Sequence, residues 1–164
     1  MKRKLFLFCA VVSALFLYSC SSSKPALDVW NYDIRCAGTA KDGSYIVQVT
    51  SVGATSAAAK QNAKKCAVHG IIFKGLAAGG AGCRPQKPMV ADPALMTSRA
   101  DFFDAFFADG GQYGRYVNEA EGTFAAPMKI SNGYKAVMTL VVSKDMLRKD
   151  LERAGIIRSL STGF

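Results

Sequence analysis

The sequence predicts an α+β fold, a two-layer sandwich in which an antiparallel sheet carries helices packed on one face. Three observations predict it. Apolar residues alternate at period two through 30–36 and again through 134–142, hairpin turn chemistry lies beside each run, and a segment of helical period follows each hairpin. The order strand, hairpin, strand, helix therefore occurs twice, and such a sheet buries one face against its helices.

Trp30, Tyr32, Ile34 and Cys36 alternate with Asn31, Asp33 and Arg35, the pattern of a half-buried strand. Asp42 and Gly43 supply a hairpin turn, after which Tyr45, Val47 and Val49 continue a second strand toward Ser51, expected to pair antiparallel with the first. From Thr55 the period changes. Ala59, Ala63, Cys66, Ala67, Gly70 and Ile71 share one helical face, and Lys60, Gln61, Lys64 and Lys65 share another. Small residues on the inner face let this helix lie close to the sheet, with Trp30 and Tyr32 filling the volume between. Ile71, Ile72 and Phe73 read either as a short buried strand or as a helix running on to Lys74, and periodicity does not choose between them.

Residues 75–93 read as a loop, with Gly79, Gly80, Ala81 and Gly82 followed by Pro85, Pro88 and Pro93. No Lys-Ser or Lys-Thr follows the glycines and the dinucleotide fingerprint is missing, so a phosphate cradle is not indicated. A loop of this length in a small domain is expected to be flexible or to contact a partner. Ser98 is expected to cap a helix carrying Phe102, Phe103, Phe106 and Phe107, which stops at Gly110 and Gly111. Tyr113, Tyr116 and Val117 follow. So many rings are costly to leave in water; core should cover them, and any surplus would form a docking patch.

In the last third, Met128 and Ile130 lead to a turn at Asn132 and Gly133, and Tyr134, Ala136, Met138, Leu140 and Val142 return on one face. Val137 and Val141 make the other face partly apolar, which predicts a central strand. Ser143 is expected to cap a helix with the stripe Met146, Leu147, Leu151 and Ala154, stopped by Gly155. Arg148, Lys149, Glu152 and Arg153 form its solvated face, and Ile156 and Ile157 pack back. The tail after Arg158 is expected to be loose.

The N-terminus carries a different kind of signal. Lys2, Arg3 and Lys4 precede an apolar run over residues 5–17, which is shorter than the roughly 20 residues of a spanning helix and ends in Leu17, Tyr18, Ser19 and Cys20. This segment resembles the lipobox of bacterial lipoproteins, although Tyr18 is bulkier than the residue usual there. The resemblance implies a signal peptide over residues 1–19 and Cys20 as a lipid-bearing first residue. Such a cysteine carries a diacylglyceryl group on sulfur and an acyl chain such as palmitate on its amine, and more than one chain makes anchoring stable. Residues 20–28, beginning with polar Ser21, Ser22 and Ser23, read as a tether, and residues 29–164 as a single domain. By the same resemblance, serine after the lipidated cysteine implies the outer membrane, and the lack of an acidic run implies a domain facing the periplasm.

The full chain has 21 Lys+Arg and 12 Asp+Glu, a formal charge of +9, of which the signal accounts for three charges. A basic surface in the envelope suits anionic headgroups, acidic polymers or an acidic protein partner, while scattered charges suit plain solvation. Nucleic acid is not expected, since no aromatic and basic recognition motif is present. Cys36, Cys66 and Cys83 remain after processing. Their spacing is too wide for a zinc knuckle or redox dithiol, so neither metal nor cofactor is expected. Cys36 and Cys66 fit inward faces and are expected to pack as small apolar groups with no obligatory disulfide, although periplasmic oxidation could join these two.

His69 is the only histidine, so any Ser-His-Asp or Cys-His mechanism must use it, with Cys66 on its side of the helix as the nearest nucleophile. A buried thiol is a poor nucleophile, and a satisfied histidine is the ordinary alternative. Asp101 with Asp104, and Glu119 with Glu121, read as solubilising charges rather than converging catalytic carboxylates. No catalytic residue is assigned. Between residues 29 and 157 the order of elements and the small-residue helix resemble the small α/β domains of envelope lipoproteins that accompany flagellar and secretion machines. The expected function is therefore a non-enzymatic structural or accessory component of an envelope assembly, such as a secretion or contractile-injection system, contacting a protein partner through the loop 75–93 and the aromatic stretch. The alternative is a small envelope hydrolase or ligand-binding lipoprotein. An exposed aromatic patch over 102–116 would favour the first, and a deep pocket lined by His69 and carboxylates the second.

Overall fold

The computed structural model describes residues 27–79, 83–121 and 125–159. Cys20, the signal residues 1–19, Gly80, Ala81, Gly82 and the end of the tail lie outside the described residues. The chain forms the α+β sandwich that its periodicity predicts. A five-stranded antiparallel sheet has the order β1-β2-β5-β3, with β4 also paired to β5. The strands are β1 Asp33–Thr39, β2 Tyr45–Gly53, β3 Val117–Glu119, β4 Met128–Ile130 and β5 Gly133–Val142. β5 is central, as the apolar residues on both its faces predict.

β2 and β5 pair in continuous register from Tyr45 opposite Val142 to Gly53 opposite Tyr134. This puts Val47, Val49 and Ser51 on one face with Ala136, Met138, Leu140 and Val142, all buried. Helix α1, Ser56–His69, packs on that face and presents Ala59, Ala63, Cys66 and Ala67, each with no accessible surface. Its start is set locally: the Thr55 side chain accepts from the Ala58 amide at 3.0 Å and satisfies one of the orphan donors of the first turn. The contact is close because Gly53 has no side chain. A Cβ there would lie 2.6 Å from the Ala58 carbonyl carbon. Two polar bonds fix the helix on the sheet, Ser51 Oγ donating to Ala59 O and Asn62 Nδ2 to Val52 O, both at 2.8 Å.

Of the two readings of residues 71–73, the continuing helix is the one observed. α1 widens into a π-helical turn, Gly70–Lys74, that buries Gly70, Ile71 and Ile72. The amides of Met89 and Val90, from the far end of the following loop, donate to the carbonyls of Ile71 at 3.3 Å and Ile72 at 2.9 Å. Those loop amides satisfy helix carbonyls.

Three expectations about local structure are corrected. Ser98 does not cap the phenylalanine helix: it ends a short helix α2, Leu95–Ser98, and Arg99 at φ −117°, ψ 39° breaks the path before α3, Ala100–Phe107. The second hairpin turns at Ser131 and Asn132, with Gly133 already paired to Ile130 as the first residue of β5. Gly133 is needed where it stands because a Cβ would press on Leu27 Cδ1 at 3.1 Å and on the Gly53 backbone. Finally, Glu119, which the sequence offers only as a solubilising charge, ends a strand, β3, that no alternation announces. Three residues are too few to show a period, and Glu119 within it pairs with Lys64 at 2.8 Å.

A 3₁₀ turn, Gln112–Tyr116, precedes β3 and buries Tyr113 and Tyr116. The last helix, α4 Lys144–Arg153, buries Leu147 and Leu151, and Ile156 packs behind it. Tyr116 donates to Asp150 at 2.8 Å, which ties the 3₁₀ turn to α4. Burial and that carboxylate push the Tyr116 phenol up to about 12.

Candidate protein-binding groove

The aromatic stretch is core. Phe103, Phe106, Phe107, Tyr113 and Tyr116 are buried, and half-buried Phe102 meets Phe103 edge-on with ring centres 5.1 Å apart. They supply no exposed docking patch, so the expectation that this stretch contacts a partner is corrected.

His69 is built into the same core. Its ring stacks on Trp30 at 4.3 Å and touches Phe73 at 4.9 Å, while Nδ1 and the Tyr32 hydroxyl share a hydrogen bond of 2.6 Å. Burial first, and the Lys74 charge second, push its pKa down to about 4, so the neutral ring is held at neutral pH. The same burial, with a smaller contribution from Cys66, raises the Tyr32 phenol above its ordinary range. The Lys74 ammonium lies 3.6 Å from the centre of the Tyr32 ring.

Cys66 Sγ donates to Val29 O at 3.2 Å, and burial pushes the thiol up to about 12. A thiol kept protonated, whose hydrogen is already engaged by a carbonyl, is no nucleophile. Asp101 is exposed and pairs with Arg99 at 3.6 Å, and Asp104 and Glu121 are exposed. None of these lines the groove described below. Among the described residues, no group of His, Cys, Asp and Glu could hold a metal ion, and no helix is long and apolar enough to cross a membrane.

The thiol expectation is corrected as well. Cys36 and Cys83 form a disulfide with Cα atoms 6.1 Å apart, and among the described residues Cys66 is the free, buried cysteine. The partner of Cys36 is thus in the loop, which sequence reading treated as flexible or partner-contacting. Cys36 does face inward, but it does so beside a register shift at Ala37 near the end of β1, within reach of the returning loop.

The disulfide is one of several restraints on that loop. Leu76 and Gln86 exchange backbone hydrogen bonds of 2.8 Å in each direction, and Met89 and Val90 bind the π turn. The crossing between Leu76 and Gln86 is tight. Gly75 sits at φ 72°, ψ −169°, a region essentially reserved for glycine, and a Cβ there would lie 2.8 Å from Pro88 N. Loop residues 83–90 are therefore held as a wall and not left as a flap.

That wall faces the N-terminal half of α4. Between them lies a cavity of about 260 Å³ lined by Tyr45, Leu76, Gln86, Lys87, Lys144 and Arg148, with Ile71 and Met89 on its apolar side. A second cavity of about 440 Å³ shares Tyr45, Gln86 and Lys144 with the first and runs toward the β1–β2 turn, bringing in Arg84 and the disulfide. The two form one groove. Lys144 lies 5.3 Å from the Tyr45 ring centre and pairs with Asp145 at 2.7 Å. Arg148 lies 3.7 Å from Glu152. Burial raises the Tyr45 phenol against the opposing effect of Lys144, so the floor of the groove is a neutral ring under cations.

The loop is legible in the sequence, and its opposite wall is not. Lys144 and Arg148 recur at i and i+4 and so share a helix face, yet nothing in the sequence says that this face looks across at Lys87. Comparison with protein-family models, curated proteins and solved structures finds no match for this chain.

Proposed function

We propose that this chain is a lipid-anchored periplasmic protein that acts without catalysis as a structural or accessory component of an envelope protein assembly, a secretion or contractile-injection machine being the first kind to test. The observation that carries the binding role is the groove itself: a loop held by a disulfide, a backbone bridge and the π turn presents Arg84 and Lys87 opposite Lys144 and Arg148. A preorganised wall loses little entropy on binding. The disulfide suits an oxidising compartment, which supports the periplasmic reading. The enclosure of His69 by rings and the protonated state of Cys66 weigh against a hydrolase that would use this pair.

The anchor is tested by metabolic labelling with radioactive palmitate. Cys20→Ser should abolish incorporation and leave a precursor or a released soluble form; undiminished labelling would sink the anchor. For the accessory role, crosslinking in the native envelope should return one recurrent protein partner. Recovery of the protein alone, together with turnover of an envelope substrate that His69→Ala abolishes, would replace this reading by the enzymatic one.

A further inference from the structure

We infer that the groove between the loop 83–90 and α4 receives an acidic, extended segment of the partner protein. This deepens the function proposed above and takes its orientation argument from the anchor at Cys20. The charge balance is the first ground. Arg84, Lys87, Lys144 and Arg148 line the groove against one carboxylate, Asp145, which is paired to Lys144, and Arg148 pairs with Glu152 beside the groove at 3.7 Å. Among the described residues, Arg84 and Lys87 have no carboxylate within ion-pair distance. Arg84 and Lys87 thus stand exposed on a held backbone as the cations open to a carboxylate from a partner.

Shape is the second ground. The cations stand on two walls, and the half-buried Tyr45 and Met89 supply the apolar surface between them, with Ile71 and Leu76 buried beneath. A floor with two apolar side chains between basic rims fits an extended chain that alternates apolar and acidic side chains, since a strand sends alternate residues to opposite sides. A single small anion would leave the apolar floor and the second cavity unused.

Position is the third ground, and it favours a protein over a lipid headgroup. Tyr45 opens β2 at the groove, and Gly53 closes it beside Gly133, where Leu27 brings in the chain from the tether. The 9 residues of β2 place these ends ~27 Å apart at ~3.3 Å per residue. The groove therefore lies at the end of β2 remote from where Leu27 enters. The groove opens into the periplasm, where protein chains are the available polyanions with apolar side chains.

A photo-crosslinking side chain at Gln86 of the full-length protein tests this in the native envelope, with the same probe at Lys129, near the tether end, as control. Adducts from Gln86 should map by mass spectrometry to one segment of net negative charge in one protein. Lys87→Glu combined with Arg84→Glu should abolish them at an unchanged thermal midpoint. If reversal unsettles the fold, Lys87→Gln with Arg84→Gln should weaken the same adduct. A synthetic peptide of the mapped segment should then bind the purified full-length protein, lose about tenfold in affinity on the double reversal, and lose affinity again as salt is raised. Adducts to lipid, adducts to a neutral or basic segment, no protein adduct at Gln86, or affinity indifferent to the reversal would each overturn the inference. Because the peptide titration does not require a membrane, failure of Cys20 labelling would defeat the anchor and leave the groove standing.

Discussion

Helix α1 follows the β1–β2 hairpin with a face of alanines fully excluded from water, whereas α4 follows the β4–β5 hairpin and buries only Leu147 and Leu151. Both helices begin after a Thr or Ser that could cap them. Thr55 accepts a bond from Ala58, and Ser143 makes no side-chain cap. At its far end α1 is enclosed by rings and by the loop, which returns to β1 through the Cys36–Cys83 bridge. α4 keeps its basic residues at the rim. The same order of elements thus yields one helix that is core and one that is the wall of a binding surface. What separates them is side-chain size: a face of small residues can be pressed onto a sheet, and a stripe of two leucines with long cations around it stays at the margin.

The largest expected effect falls on the first unit. Cys36 and Cys83 are separated by 47 residues, and a loop of that length is stabilised by about 4 kcal/mol in the chain-entropy account. Cys36→Ser with Cys83→Ser should lower stability in denaturant melts by about that amount, while Cys66→Ser, which leaves the bridge intact, should keep the melt sensitive to reductant. Loss of less than about 1 kcal/mol would mean the bridge does not organise the loop.

Acid should also strike the first unit. Between pH 6.5 and about 4 the unfolded chain holds a proton on histidine that native His69 does not. Stability contributed by the neutral ring is therefore complete above pH 6.5 and is lost as pH falls toward 4, about 3 kcal/mol in all. Urea midpoints followed over that range should drop in the native protein, and His69→Gln should flatten the slope. An unchanged slope in the variant would show that other groups titrate instead.

Size is tested next. Ala63→Leu in α1 should cost about 2 kcal/mol by overpacking, and Leu151→Ala in α4 a similar amount by leaving a cavity. If Ala63→Leu is tolerated, α1 is not pressed onto the sheet and the contrast between the helices fails. The smallest effect concerns the caps. Thr55→Ala should cost about 1 kcal/mol, as removal of a working N-cap does, and Ser143→Ala should fall within about 0.5 kcal/mol of no change. Equal costs would erase the difference between the two starts.

By itself the sequence determined what depends on neighbours along the chain. Alternation in 45–53 and 134–142 is a local consequence of strand geometry, and the alanine face of 59–67 is a local consequence of helix geometry; both could be read, and with them the α+β sandwich and the central position of β5. The expected lipoprotein-like signal ending at Cys20 is also a linear pattern, and it lies outside the described residues. Tertiary structure alone decided which cysteine meets Cys36, because an inward face and a distant loop carry no mutual mark in one sequence. It decided that the aromatic stretch is enclosed, since covering those rings depends on how much surface α1, β2 and β5 offer together. It also decided the groove, whose cations come from residues 84–87 and 144–148, far apart in the chain and brought opposite each other only when the loop is pinned and α4 starts beside Tyr45.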